Sequence, residues 1–327
     1  MIETLLFVAG GLVALLAGGE ILVRGAVGLA ARAGISPLVI GLVIVGFGTS
    51  MPELVTSVEA AMAGSPAIAW ANVVGSNIAN SLLILGAAAL FAPIAVARGA
   101  AMRDTGFAML ASLAFAGLAI SGAGSVVIGA LLLAALGVYI AYCYREERQA
   151  APEVVHNAPQ DRSIALELSD RALHDDSGGW GKPVGLLIGG LVLLVVGGQF
   201  LIEGAIDLAR LFGASETLIG LTVVAIGTSM PELVTSVVAA RKGEAEVAFG
   251  NVVGSNIYNV LGIGGVTMIV APGAIPATLL PLDIGVMTAA ALAIFVLAVA
   301  MQRIGRLAGG VLFALYFGVT AAFVMQG

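Results

Sequence analysis

The sequence GTSMPELVTS at residues 48 to 57 occurs again, letter for letter, at residues 227 to 236. Both copies lie within apolar runs long enough to cross a bilayer, which takes about 20 mostly apolar residues. At that depth a proline removes a backbone hydrogen bond, and a glutamate costs about 3 kcal/mol to insert. The doubled pair, Pro52 with Glu53 and Pro231 with Glu232, therefore indicates a membrane protein with a repeated functional site.

The repeat extends well beyond these ten residues. Adding 179 to any position from 41 to 86 gives its counterpart from 220 to 265 without a gap, and 29 of the 46 pairs are identical. Identity at this level indicates an internal duplication, which is common among transporters.

The composition supports a membrane protein and excludes other classes. Of the 327 residues 60% are apolar and 10% are charged, with a mean hydropathy of +1.08, whereas soluble domains carry about 25% charge. Cys143 is the single cysteine, so a disulfide framework and a thiolate metal site are excluded. The 14 basic residues are too few and too scattered to predict nucleic-acid binding.

Hydropathy predicts ten spans in two groups of five. They are residues 3–25, 37–64, 66–91, 102–121, 125–144, 183–209, 215–240, 244–269, 281–302 and 305–325. The polar segment 145–182 is predicted to be a cytoplasmic loop, which leaves residues 1–144 as the first five-helix repeat and 183–327 as the second. The start lacks the basic region of a signal peptide, so we expect the first span to be retained.

The basic residues predict the orientation of the chain. With the N-terminus outside, 13 of the 14 fall on the cytoplasmic side and only Arg210 falls outside. Five spans per repeat is an odd number, so the second repeat must enter the membrane in the opposite orientation and the C-terminus must also lie outside. The predicted fold is an all-α polytopic membrane protein with ten transmembrane helices in two inverted five-helix repeats.

Within the first copy, polar groups share one side of the predicted helix. Pro52 leaves the carbonyl of Gly48 without its usual partner, and Glu53 lies one turn beyond Thr49 and Ser50. A loosened carbonyl at membrane depth needs another partner, and a cation is a suitable one. The second copy repeats these residue types.

The next predicted helix in each half carries NVVGSNI, at residues 72–78 and 251–257. Asn72, Ser76 and Asn80 are spaced by four residues and form one polar stripe. Their counterparts are Asn251, Ser255 and Asn259. Together the two motifs offer carboxylates, amides, hydroxyls and carbonyls. These are oxygen ligands that suit a hard cation such as calcium, which takes about 6 to 8 of them, or sodium.

These doubled motifs resemble the two repeats of the sodium/calcium exchanger family, within the cation/calcium antiporters, over essentially the full chain. The resemblance implies a secondary antiporter in which sodium entry drives calcium out by alternating access at a midplane site. It implies that Glu53 and Glu232 are ligands shared by both ions, and that Thr49 and Thr228 offer carbonyls to calcium. The remaining implied ligands are the hydroxyls of Ser50, Ser229, Ser76 and Ser255 for sodium, the carbonyls of Gly46 and Ala225 for sodium, and the central amides Asn80 and Asn259.

One departure from the family concerns those two amides. Family members often carry an aspartate at one of the two positions, whereas here both are asparagine. Asparagine is isosteric with a protonated aspartate, so we expect exchange to survive. The sodium stoichiometry, potassium dependence and proton competition stay open.

Three other functions compete with sodium/calcium exchange. A calcium/proton antiporter is the main alternative, because two carboxylates could trade protons for the metal. A passive channel fits inverted repeats less well, and a hydrolytic enzyme would lack a histidine base in the membrane. We therefore expect no enzyme activity and no cofactor beyond the transported calcium and sodium. The expected partners are those ions and the lipid bilayer, without nucleic acid, and the oligomeric state stays open. The expected location is the cell (inner) membrane.

Overall fold

The computed structural model describes residues 2–150, 179–211 and 225–326, and in those ranges the chain is almost entirely helical. The α-helices are α1 (Ile2–Ala33), α2 (Pro37–Ile40), α3 (Gly46–Thr49), α4 (Met51–Met62), α5 (Pro66–Ile78), α6 (Leu85–Phe91), α7 (Arg98–Ser121), α8 (Val126–Ala150), α9 (Gly181–Leu211), α10 (Ala225–Thr228), α11 (Met230–Arg241), α12 (Ala245–Ile257), α13 (Gly264–Val270), α14 (Leu282–Val296) and α15 (Arg306–Gln326).

Shorter elements interrupt or connect these helices. Four π-helical segments continue an α-helix directly, at Gly41–Val45, Ala79–Ile84, Tyr258–Ile263 and Leu297–Met301, and a 3-10 turn covers Ala277–Leu279. Two short strands, β1 (Ile94–Ala95) and β2 (Arg303–Ile304), pair antiparallel with Ile94 opposite Ile304. This pair joins the α6–α7 connection to the segment that precedes α15.

Eight helices in the described ranges are long and apolar enough to cross a membrane, and a bent pair would make a ninth. The bent pair is Pro37–Thr49 with Met51–Met62, which meet at 42°. The predicted helical, multi-pass membrane architecture is therefore confirmed. The predicted seventh span, 215–240, lies partly outside the described residues, since its described part begins at Ala225.

Several helices continue beyond their predicted ends. The first runs to Ala33 instead of residue 25, and α8 runs to Ala150 instead of residue 144. Hydropathy marks the membrane-embedded part of a helix, but arginine, glutamate and glutamine are good helix formers that extend it into water. The first residues of the predicted loop 145–182 are therefore helical. His156 and His174 of that loop lie outside the described residues.

The two proline-containing helices break before the proline. Ser50 leaves helical geometry with φ −82° and ψ 6°, and Ser229 does the same with φ −89° and ψ 8°. Each proline then lies in the first turn of the following helix, where its missing N–H has no intrahelical acceptor to lose. The break thus places a serine and a glutamate at the start of a new helix within the membrane.

The helices α5 and α12, which carry the NVVGSNI motifs, occupy the centre of the protein. In the apolar stretch of the spans Pro66–Phe91 and Ala245–Val270, 89% and 83% of the residues are buried. The corresponding share in the other six spans is 17% to 33%. Most residues of those six spans are therefore at least partly exposed, while most residues in the apolar stretches of the two central spans are buried against protein.

Glycines bring α1 and α9 into backbone contact. Gly11, Gly18 and Gly25 of α1 approach Leu201, Leu194 and Leu187 of α9, so the two helices run antiparallel. Each glycine of α1 has an equivalent 179 residues later, at Gly190, Gly197 and Gly204, and these approach α1 in turn. Small residues at seven-residue spacing permit this close crossing in a membrane.

Replacing Gly11 by alanine is expected to destabilise the protein. A Cβ atom at this position would lie 2.6 Å from the Leu201 nitrogen and 2.8 Å from the Gly197 oxygen, so the two backbones must separate. Overpacking of this kind costs about 1 to 3 kcal/mol. The thermal midpoint in detergent should fall by several degrees. It is measured by size-exclusion chromatography of samples heated to a series of temperatures.

The neighbouring Gly10 supplies the control for that measurement. It is exposed, and a Cβ atom there would meet no atom within 4 Å. Gly10→Ala should therefore leave the thermal midpoint unchanged. Equal midpoints for the two variants would show that the α1–α9 contact does not depend on Gly11.

Candidate ion-binding site

Two buried glutamates lie at the centre of the candidate site. Glu53 in α4 and Glu232 in α11 are each 1% exposed, and each follows the broken turn of its helix. A buried carboxylate requires hydrogen bonds and compensating positive charge. The described contacts of both side chains include no lysine or arginine.

Serines from opposite halves bind these carboxylates reciprocally. The Ser50 hydroxyl donates to Glu232 Oε1 at 3.1 Å, and the Ser229 hydroxyl donates to Glu53 Oε1 at 3.2 Å. In both glutamates Oε2 is buried without a hydrogen-bond partner among the described protein atoms. Each half therefore supplies one hydrogen-bond donor to the carboxylate of the other half, and one oxygen of each carboxylate stays available.

Two buried asparagines add further available atoms. Asn80 and Asn259 are each 1% exposed and lie in π-helical segments, at Ala79–Ile84 and Tyr258–Ile263. Neither the oxygen nor the nitrogen of either amide has a partner among the described protein atoms. A buried amide without partners costs about 1 to 3 kcal/mol. Such a cost in both halves points to a bound ligand at this place.

Asn72 and Asn251 hold the backbone of the two glutamates. The Asn72 amide donates to the Glu53 carbonyl at 3.1 Å and to Ser57 Oγ at 2.9 Å. Asn251 donates to the Glu232 carbonyl at 3.3 Å and to Ser236 Oγ at 2.9 Å. The sequence grouped these two asparagines with the oxygen ligands, but their nitrogens fix the glutamate-bearing helices to α5 and α12.

Further polar contacts join α3 to α12. The Thr49 hydroxyl lies 3.0 Å from the Val45 carbonyl and 3.1 Å from Asn251 Oδ1. The Ser255 hydroxyl donates to the Gly46 carbonyl at 3.3 Å. Gly46 follows the π-helical segment Gly41–Val45, and π-helical turns often occur at functional sites.

Of the predicted ligands, seven are connected by these contacts between the halves or lie beside them. They are Gly46, Thr49, Ser50, Glu53, Ser229, Glu232 and Ser255. Ser76 and Thr228 are buried on α5 and α10, and Ala225 is the first residue of α10. The ion ligand assigned to each residue stays a prediction.

Sequence reasoning did not identify the π-helical segments or the amide contacts of Asn72 and Asn251. A signal for the contacts was present, since both asparagines occupy the same place in a doubled motif. The π-helical geometry has no comparable signal, because these residues also fit an α-helix.

The chemistry of the site is that of oxygen ligands. In the part of the chain that the structure describes, no group of three or more histidines, cysteines, aspartates or glutamates could hold a metal ion. The candidate site instead combines two carboxylates with neutral amides, hydroxyls and carbonyls. This set suits calcium or sodium and offers no soft ligand for a transition metal.

Comparison with known proteins gives consistent matches. The sequence model of the family described as sodium/calcium exchanger protein matches residues 3–145 and 182–325. The chain is 38% identical over 323 residues to the putative antiporter CaxA of Alkalimonas amylolytica, covering 97% of this chain and 98% of that protein.

Two further proteins are similar over nearly the full length. The sodium/calcium exchanger MaX1 of Methanosarcina acetivorans is 32% identical over 330 residues, covering 94% of each chain. The solved structure of the sodium-calcium exchanger NCX_Mj soaked with zero Na⁺ and Ca²⁺ has a TM-score of 0.83 at 27% identity, covering 98% of this chain and 99% of that one. The inner membrane protein YrbG of Escherichia coli is 33% identical over 256 residues, covering 78% of this chain and 76% of that protein.

Proposed function

Because the chain belongs to the sodium/calcium exchanger protein family, we propose that this multi-pass membrane antiporter exchanges sodium for calcium at the site between Glu53 and Glu232. One observation carries the proposal. Both buried carboxylates use one oxygen to bind a serine of the opposite half, while the other oxygen has no partner among the described protein atoms. A cation bound between them would supply the missing partner.

Charge supports competition between the two ions. The site carries −2 from the two glutamates, which balances one calcium ion or about two sodium ions. Oxygen ligands at similar distances serve both ions, so the site holds either calcium or sodium at one time. Exchange then follows from alternating access to the two sides of the membrane.

The proposed ligands are those that the family resemblance implies. Both ions use Glu53 and Glu232, and the Asn80 and Asn259 amides complete the centre. Calcium adds the Thr49 and Thr228 carbonyls. Sodium uses the hydroxyls of Ser50, Ser229, Ser76 and Ser255 with the carbonyls of Gly46 and Ala225. We propose no cofactor besides the transported ions.

We further propose ten spans in two inverted five-helix repeats, residues 1–144 and 183–327, with both termini outside and the segment 145–182 in the cytoplasm. The antiparallel contact of α1 with α9 supports the inversion, because their contacting glycines are equivalent positions of the duplication. Location in the inner membrane is proposed by similarity to YrbG.

Replacing Asn259 by aspartate is expected to make transport more sensitive to pH. A protonated aspartate has the shape of asparagine, so the variant should behave like the wild type at low pH. As the pH rises the new carboxylate ionises and adds a third negative charge to the site. Calcium uptake is measured from about pH 6 to about pH 9. The uptake of the variant should diverge from that of the wild type as the pH increases. Parallel profiles would count against placing this side chain beside the ions.

Calcium/proton exchange is the second candidate, because two neighbouring buried carboxylates could bind protons when calcium leaves. The two candidates differ in the gradient that drives uptake. The test uses purified protein in three vesicle preparations, which contain an excess of sodium inside, an excess of protons inside, or no excess of either ion. Each preparation is diluted into buffer that contains radioactive calcium.

We expect uptake only in the sodium-loaded vesicles, and we expect a sodium ionophore to abolish it. Uptake driven by the proton gradient alone would replace the proposal with calcium/proton exchange. Uptake in vesicles with neither gradient, unaffected by the ionophore, would indicate a channel and overturn both exchange mechanisms.

A further inference from the structure

A small polar cavity lies next to the candidate ion site, where helices of the two halves meet. Its volume is about 10 Å³, and all ten residues that line it are buried. Its polar lining consists of the amides of Asn77 and Asn256 and the hydroxyls of Ser81, Thr105 and Ser112. None of these five residues belongs to the proposed ion ligands.

The cavity lies between equivalent surfaces of the duplication. Asn77 and Asn256 are 179 residues apart, and each precedes a proposed central ligand, Asn80 or Asn259, by three residues. Two more pairs of lining residues have the same separation, Ala108 with Met287 and Ser112 with Ala291. A ligand bound here would contact both halves at once.

Each amide nitrogen that lines the cavity uses one of its two hydrogens in a bond to the protein. Asn77 Nδ2 donates to the Val73 carbonyl at 2.7 Å, and Asn256 Nδ2 donates to Ser81 Oγ at 2.9 Å. Asn256 is 6% exposed, and its Oδ1 has no hydrogen-bond partner among the described protein atoms. Each amide therefore keeps one N–H for the cavity, and Asn256 also offers its oxygen as an acceptor.

The hydroxyls on α7 each use their only hydrogen in a bond to a backbone carbonyl. Thr105 donates to the carbonyl of Ala101, and Ser112 donates to the carbonyl of Ala108 at 2.9 Å. Their oxygen lone pairs are what remain for the cavity. The lining thus presents acceptors together with the second amide hydrogens and the hydroxyl of Ser81, which accepts from Asn256. The candidate ligands are therefore a small molecule that both donates and accepts hydrogen bonds, or a cation bound by the oxygens.

Charge and size select between those two kinds of ligand. No charged side chain lines the cavity, so the charge of a bound cation would be unbalanced at a buried place. A single water molecule needs a cavity volume of about 10 to 15 Å³ and about two to four polar partners. We propose that the cavity is the binding site of one resident water molecule, which hydrogen-bonds Asn256 of α12 and the hydroxyls of α7 and thereby joins the two halves one helical turn from Asn80 and Asn259.

Radiolytic footprinting tests this water directly. Brief X-ray exposure converts bound water to hydroxyl radicals, which oxidise adjacent side chains even where bulk solvent has no access, and methionine is readily oxidised. Met287 lines the cavity and is 1% exposed, whereas Met268 is 0% exposed and lies outside the lining. We expect oxidation of Met287 severalfold above that of Met268. Equal oxidation of the two residues, or none at Met287, would overturn the proposal.

Two variants sharpen the test. Asn256→Leu replaces the unpartnered acceptor by an apolar group of similar size, and should lower the oxidation of Met287 to the level of Met268. Thr288→Val is the control, because Thr288 on α14 donates to the Ile284 carbonyl at 2.8 Å but does not line the cavity. It should leave the oxidation of Met287 unchanged.

A high-resolution density map of the wild-type protein gives a result that does not depend on the folding of any variant. Water is expected at about 2.7 to 3.2 Å from Asn256 Oδ1. An anomalous peak in the cavity after a thallium soak would instead identify a monovalent-cation site and overturn the assignment to water.

Discussion

Replacing Glu53 or Glu232 by glutamine is expected to abolish calcium transport. Glutamine keeps the length of the side chain and removes one of the two negative charges at the site. The remaining carboxylate cannot balance a divalent ion, and removing one anionic partner of a buried cation costs about 3 to 5 kcal/mol. Calcium affinity should therefore fall by more than about 100-fold, since 1.4 kcal/mol corresponds to a factor of ten.

The matched control for this change lies on the same helix. Glu59 in α4 is exposed, and its counterpart in the second half is Val238, so no paired site is built from it. Glu59→Gln should transport calcium like the wild type. Calcium uptake into vesicles and calcium binding by calorimetry measure the two effects separately. Full uptake by either Glu53→Gln or Glu232→Gln would place the transport site elsewhere.

The candidate site residues could be identified from the sequence alone, because polar and charged residues are costly inside a membrane span. A glutamate after a proline inside an apolar span has few structural explanations, and its exact repetition 179 residues later leaves fewer. The doubled NVVGSNI motif predicted a polar stripe on two further helices, and the structure buries these helices, α5 and α12, at the centre of the protein. Residues that are costly in a bilayer can therefore be recognised in the sequence before the structure is known.

The sequence could not show how the two halves interlock. The bond from Ser50 to Glu232 joins residues 182 positions apart, and that from Ser229 to Glu53 joins residues 176 apart. No local pattern encodes which serine meets which carboxylate, because this depends on the relative placement of whole helices. The break at Ser50 was likewise not predicted, because the sequence indicated only that Pro52 leaves the carbonyl of Gly48 without its usual partner.

Helix ends were the least predictable part of the fold. Hydropathy changes where a helix leaves the membrane, but the backbone hydrogen bonds continue into water as long as the residues favour a helix. This explains why α8 passes Tyr144 and reaches Ala150. A glycine marks the end of α1, since Gly34 has a φ of +65°, but the span predicted from hydropathy already ends at residue 25.

Replacing Asn251 by alanine is expected to weaken calcium binding without removing any ligand proposed here. The Asn251 amide donates to the carbonyl of Glu232 and to Ser236 Oγ, and its oxygen accepts from Thr49 of the other half. Removing this side chain frees the glutamate-bearing turn from α12. Loss of a residue that orients a metal ligand typically lowers metal affinity about 10- to 100-fold, so the calcium concentration for half-maximal uptake should rise by that factor.

Ser236→Ala separates orientation from general loss of packing. This variant removes one acceptor of the Asn251 amide but leaves its contact with the Glu232 carbonyl, so its effect on half-saturation should be clearly smaller. The maximal rate should change less than the half-saturating concentration in both variants, because the charges at the site are retained. If Asn251→Ala lowered only the thermal midpoint and left half-saturation at the wild-type value, the amide would stabilise the helix pair without orienting Glu232.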